Sequence, residues 1–161
     1  MSFNIFEKDF WSITEALNGL IKSANVKAAM LIDKAGQVIT SSGETDSFDL
    51  SSFATLSAAD YAATSQLATI IGEREFAHLY HQGEKDNIYI TIIGDRIILA
   101  VVFDKRTTLG LVRVKLKQTV THLEKIFEEI FTKIGTQPKA EERITDEFTK
   151  EAEEELDKLF G

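Results

Sequence analysis

Apolar residues recur at three- and four-residue steps from the start of the chain: Phe3, Phe6, Phe10, Ile13, Leu17 and Leu20. That spacing predicts a first helix, running to about Lys22, with one apolar side. Val26–Ile32 is a short apolar run and predicts a strand. Asp33-Lys34-Ala35-Gly36 is turn chemistry, and Gln37–Ser41 returns as a second strand to close a hairpin. Ser41–Ser47 is polar and glycine-bearing, hence a loop, after which Asp49 or Ser51 is placed to cap a helix. The helical stretch Phe53–Gly72 follows, with Gly72 at its end. Phe76–His81 predicts a third strand, Gln82–Asn87 a turn, and Ile88–Ile93 and Arg96–Phe103 the two strongest strands. Gly94-Asp95 between them suits a tight II′ hairpin. The run IILAVVF lacks polar alternation and reads as a central strand covered on both faces. Asp104–Thr108 then turns into a long last helix striped by Leu109, Val112, Leu116, Val120, Leu123, Phe127, Ile130 and Ile134.

The order is α-β-β-α-β-β-β-α, an α+β fold: a five-stranded antiparallel sheet covered by three helices. If the first and last helices share one face, the middle helix covers the other. Residues 1–135 make this domain, and 136–144, with the only proline, read as a linker. Residues 145–160 predict a short amphipathic helix with Phe148, Ala152, Leu156 and Phe160 on one side. It is too short to be stable alone in water, so it either docks on something or stays disordered.

The middle helix changes the picture. Leu56, Ala63, Leu67 and Ile70 fall on one side and are expected to form its buried stripe. The other side carries Thr55, Ala58, Ala62, Ser65, Gln66 and Thr69, with Asp60 the only charge on the helix. A merely solvated face collects Glu and Lys, which stay hydrated and cost a helix little. Small neutral residues leave a flat surface that another backbone approaches closely, so this side is read as an interaction surface. The plain alternative is an alanine-rich helix buried on both sides.

Charge narrows the partners. The chain carries a net charge of −8. Residues 141–161 hold nine acids against three bases, or −6, leaving −2 on the rest. With no basic run, nucleic acid and anionic lipid are poor partners. No apolar run reaches the roughly 18–20 residues of a membrane span. Glu7, Lys8 and Asp9 interrupt any signal-peptide core, so a cytoplasmic location is expected. The absence of cysteine excludes disulfides and thiol chemistry.

No catalytic constellation stands out, and neither catalytic residues nor a cofactor are expected. His78 and His81, three apart in a strand, point to opposite faces without an obvious third metal ligand. There is no phosphate-binding or dinucleotide glycine pattern; Gly43, Gly72, Gly83 and Gly94 all sit at turns.

Taken together, the chain resembles the Roadblock/dynein-light-chain family, and within it the MglB-type activators of small GTPases. The residues that carry this are Leu31-Ile32-Asp33-Lys34 with Gly36, Ala54-Thr55-Leu56, Ala62-Ala63, Leu67-Ala68 and Ile71-Gly72-Glu73. The match continues through Phe76, His81-Gln82-Gly83-Glu84, Val102-Phe103-Asp104 and Thr108-Leu109-Gly110-Leu111-Val112-Arg113. It departs at Tyr61, Thr64, Ser65 and Gln66, where relatives often carry smaller residues. The resemblance implies a homodimer in which the third strands meet edge to edge through Phe76, His78 and Tyr80, with the middle helices side by side at Ala59. It also implies one small Ras-like GTPase (MglA-like) per dimer, seated on Thr55, Ala58, Ala62, Ser65, Gln66 and Thr69. GTP hydrolysis would be stimulated by positioning the GTPase's own catalytic residues, in the setting of cell polarity and motility. The tail, through Phe148, Leu156 and Phe160, would dock on a distal surface of the GTPase and influence nucleotide exchange. Two rival functions are a passive scaffold docking a GTPase or motor, and a small-molecule sensor. The mostly large, apolar core positions argue for a filled interior and against the sensor, a case that an unexplained pocket would reopen.

Overall fold

The computed structural model describes residues 2–135 and 154–159, with Phe148 and Phe160 of the expected tail helix outside that range. The chain divides into two units, Met1–Ile126 and Phe127–Gly161. The element order is α1 (Ser2–Ala24), β1 (Ala28–Asp33), β2 (Val38–Gly43), α2 (Leu50–Ile70), β3 (His78–Gln82), β4 (Asn87–Ile93), β5 (Ile97–Phe103) and α3 (Leu109–Gly135). The eight elements expected in the order α-β-β-α-β-β-β-α are present; of the expected tail helix only residues 154–159 are described. In the second unit, residues 154–159 are helical, and Leu156 is 53% exposed.

The five strands form one antiparallel sheet in the order β2-β1-β5-β4-β3. β5 lies in the middle with all seven residues buried, which is why its sequence needs no polar alternation. The register sorts the helices. His78, Thr91, Leu99, Leu31 and Thr40 pair across the sheet as one row and so share a face. The Thr40 hydroxyl meets Thr14 of α1 at 3.3 Å on that face, and α3 lies against His78 and Thr91. Ile13, Leu17 and Leu20 of α1 and Val112, Leu116 and Leu123 of α3 are buried there. The opposite face, Met30, Ile32, Ile90, Ile98, Ala100 and Val102, packs on α2. α1 and α3 thus share one face of the sheet and α2 covers the other.

Two local expectations do not. Gly94 and Asp95 both have positive φ, 55° and 62°, and Arg96 N–H donates to Ile93 O at 3.3 Å. That is the I′ geometry, not II′; Asp tolerates the left-handed region well enough to take the second position. The larger correction concerns α2. Its expected buried stripe is on the outside: Leu56 is 67% exposed, Leu67 58% and Ile70 77%. The residues on the sheet are Ala54, Ser57, Ala58, Tyr61 and Ala68. Small side chains at three- and four-residue steps let the helix backbone come close to the sheet, and Tyr61 fills the space that remains.

Candidate interaction surface

The ends of α2 are fixed by its own sequence. At the start, Asp49 accepts from Ser52 N–H at 3.2 Å and from the Ser52 hydroxyl at 2.8 Å. The side-chain hydrogen bond and then the backbone one hold its carboxyl below the ordinary value. At the end, Gly72 has φ +83°, with Gly72 N–H on Thr69 O at 3.2 Å and Glu73 N–H on Ala68 O at 2.8 Å. This paired closure satisfies the last carbonyls and stops the helix. Between them, the hairpin turn at Gly36 (φ +91°) packs so closely that a Cβ there would lie 3.0 Å from Thr55 Cα. The β1–β2 hairpin thus braces the first half of α2, and Tyr61 and Glu75, joined by a hydrogen bond, brace the second.

What faces outward is a stripe of Leu56, Ala59, Ala63, Leu67 and Ile70, continued by Ile71, beside a narrower polar strip of Thr55, Ala62, Gln66 and Thr69. The hydroxyls of Thr55 and Thr69 donate back to Ser51 O and Ser65 O, at 3.0 and 3.2 Å. Their donors are spent within the helix, which leaves a flat, weakly polar surface. Of the six residues expected to contact a GTPase, Thr55, Ala62, Gln66 and Thr69 are exposed and together. Ser65 is half-buried, and Ala58, 8% exposed, packs on the sheet instead. Ala58 leaves the surface because it belongs to the small-residue set that lets α2 approach the strands. Reading Leu as inward hid the outer apolar residues; the run Ala54-Ala58-Tyr61-Ala68 was the signal that could have found them.

Beside this surface, β3 forms one edge of the sheet. Tyr80 lies opposite Tyr89 in the register and its ring stacks on Phe103, with centroids 6.2 Å apart. His78 rests against the Tyr89 ring, 5.5 Å between centroids. On the other face of the strand His81 Nε2 is 2.6 Å from the Asp60 carboxylate, tying β3 to α2. The two histidines therefore do lie on opposite faces. Tyr80 and His78 are exposed, Phe76 is half-buried just before the strand, and Ala59 is exposed at the middle of the α2 stripe.

Residues 13–103, spanning this surface and the whole sheet, match the model of the Roadblock/LC7 domain. The chain belongs to the Roadblock/LC7 family. Among solved structures, MglB of Myxococcus xanthus is 47% identical, with a TM-score of 0.73 over 74% of this chain and 90% of that one. The gliding protein MglB of Thermus thermophilus is 31% identical, with a TM-score of 0.70 over 75% and 92%. These make the chain a relative of the MglB type. A Roadblock/LC7 domain from Streptomyces avermitilis, 16% identical with a TM-score of 0.64 over 70% and 95%, shares the fold. A comparison with curated proteins gives no match.

Proposed function

We propose that this chain is a homodimeric regulator of a small Ras-like GTPase, stimulating GTP hydrolysis without an active site of its own. The observation that carries the reading is the outer surface of α2. Three large apolar side chains there are more than half exposed, and covering them is worth roughly 3–6 kcal/mol. An apolar stripe beside an open strand edge is what pairing with a second copy consumes. Ala59, Leu56 and Leu67 would meet their counterparts while Phe76, His78 and Tyr80 bring the β3 edges together. The polar strip of Thr55, Ala62, Gln66 and Thr69 then remains as the seat for the GTPase.

Nothing on that seat is basic; Arg74, just past the helix, is the nearest arginine. An arginine finger is worth roughly 10³–10⁵ in rate, so its absence from the seat directs the mechanism elsewhere. Small neutral residues clamp a switch segment and fix the GTPase's own catalytic groups, lowering the barrier through geometry. Residues 1–135 would carry this activity, 136–144 link, and the segment 145–160 would dock on a distal surface of the GTPase to influence exchange. The setting is cytoplasmic.

Light scattering of the protein alone, and with its GTPase loaded with GTP or GDP, tests assembly. Multiple-turnover GTP hydrolysis tests activation. A dimer that accelerates hydrolysis is expected; binding without acceleration identifies a passive scaffold. Ala62→Arg should abolish acceleration and leave the dimer folded. Arg74→Ala should change the rate little, and a loss near a thousandfold would restore the finger mechanism. Deleting residues 141–161 should alter exchange or GTPase affinity.

A further inference from the structure

A groove of about 460 Å³ runs between α3 and the β3–β4 edge, on the face away from α2. That volume is in the range of small-ligand sites. Its floor is Tyr89 and Thr91, and its wall is Leu116 and Val120 of α3. Arg113 and Lys117 stand one helical turn apart at one end, and neither has an ion pair among the described residues. Like charges at this spacing weaken a helix, so the pair is unfavourable until a counter-charge arrives. The hydroxyl of Thr91 donates to Ala77 O at 3.2 Å and that of Thr121 to Lys117 O at 3.0 Å. With both donors occupied, anion recognition falls to the two cations. Glu124 lies at the other end, two turns along, where it repels a second negative group.

We propose that this groove binds a small organic anion with a single charged head and an apolar body. The carboxylate or phosphate head pairs with Arg113 and Lys117, and the body lies along Tyr89, Leu116 and Val120. His78, beside Arg113, is held below the ordinary histidine value by partial loss of its hydration and then by that guanidinium. It is therefore neutral near pH 7 and lines the head-group end without adding charge. None of these α3 residues lies on the α2 surface, while His78 belongs both to the groove and to the β3 edge of the proposed dimer.

The test compares three probes with ten-carbon chains on the isotope-labelled full chain by NMR: decanoate, decanol and decyltrimethylammonium, each below its micellar or solubility limit. Decanoate should move the signals of Tyr89, Thr91 and Val120 saturably. The neutral and cationic probes should bind at least about tenfold more weakly, as loss of charge-assisted hydrogen bonds requires. The Arg113→Ala/Lys117→Ala variant should keep the protein's fold, read from its remaining signals, and lose the preference for decanoate. Decanoate against decyl phosphate distinguishes the two head groups. The proposal is overturned by no saturable shift, by equal affinity for the three probes, by an unaffected double variant, or by shifts centred on Leu56 and Leu67.

Discussion

Gly36 offers a measurement of how tightly α2 is braced. Replacing it with Ala adds two costs. The residue sits at φ +91°, and holding an L-residue in the left-handed region costs about 1–2 kcal/mol. The new methyl would also lie 3.0 Å from Thr55 Cα, a backbone atom in α2 that cannot swing aside, and such overpacking costs about 1–3 kcal/mol. The sum is about 2–5 kcal/mol. Gly72 supplies the control. Its φ is +83°, yet nothing lies within 4 Å of its Cβ position, so Gly72→Ala should carry the conformational cost alone. Urea unfolding of both variants beside the parent, at matched protein concentration, isolates the contact as the difference, about 1–3 kcal/mol. For a chain of this size each kcal/mol lowers the melting temperature by about 2–4 °C, so thermal scans read the same gap. Equal losses in the two variants would refute the close approach of the hairpin to α2.

Leu67→Glu should leave the subunit's secondary structure intact, because the side chain is mostly exposed, and should shift light scattering from dimer to monomer; an unchanged dimer removes the stripe from the interface. A second prediction concerns pH. With the His78 value lowered in the folded protein, the neutral ring is the favoured form, so stability is complete above the unfolded value near 6.5 and declines as pH falls below it. His78→Gln should flatten that decline as pH falls below about 6.5, read by urea unfolding; an unchanged slope assigns it to other groups. Val120→Trp should fill the groove and abolish decanoate shifts while leaving GTPase stimulation unchanged.

The layout was readable because the two hydrophobic periods are clean where they matter. Ile13, Leu17 and Leu20, or Val112, Leu116 and Leu123, recur at helical spacing and mark one inward side, and the unbroken apolar run of β5 fits only the sheet centre. The β3 edge came from the family resemblance, and a short strand rich in His, Tyr and Gln, with little apolar area to bury on both faces, fits it. α2 was readable as a helix but not in its orientation. Both of its sides are uncharged apart from Asp60, so periodicity offers two candidate inner faces, and side-chain size points to the wrong one. The groove was not readable at all: Thr91 and Arg113 are 22 positions apart, and only the packing of α3 across β4 joins them.

The reversal in α2 itself bears on function. A subunit optimised to stand alone would turn Leu56, Leu67 and Ile70 inward, where full burial yields about 1.5–3 kcal/mol per side chain. Here the inward positions go to Ala54, Ala58 and Ala68, which bury less apolar area, and the larger residues are left in water. In isolation that arrangement lowers both stability and solubility. It becomes favourable when a second surface covers the stripe, because the same area is then buried between molecules while the small-residue face keeps α2 close to its own sheet. Local rules that fail in this way are expected at functional surfaces. The reversal therefore supports placing the partner-binding surface on α2 independently of any resemblance to other proteins.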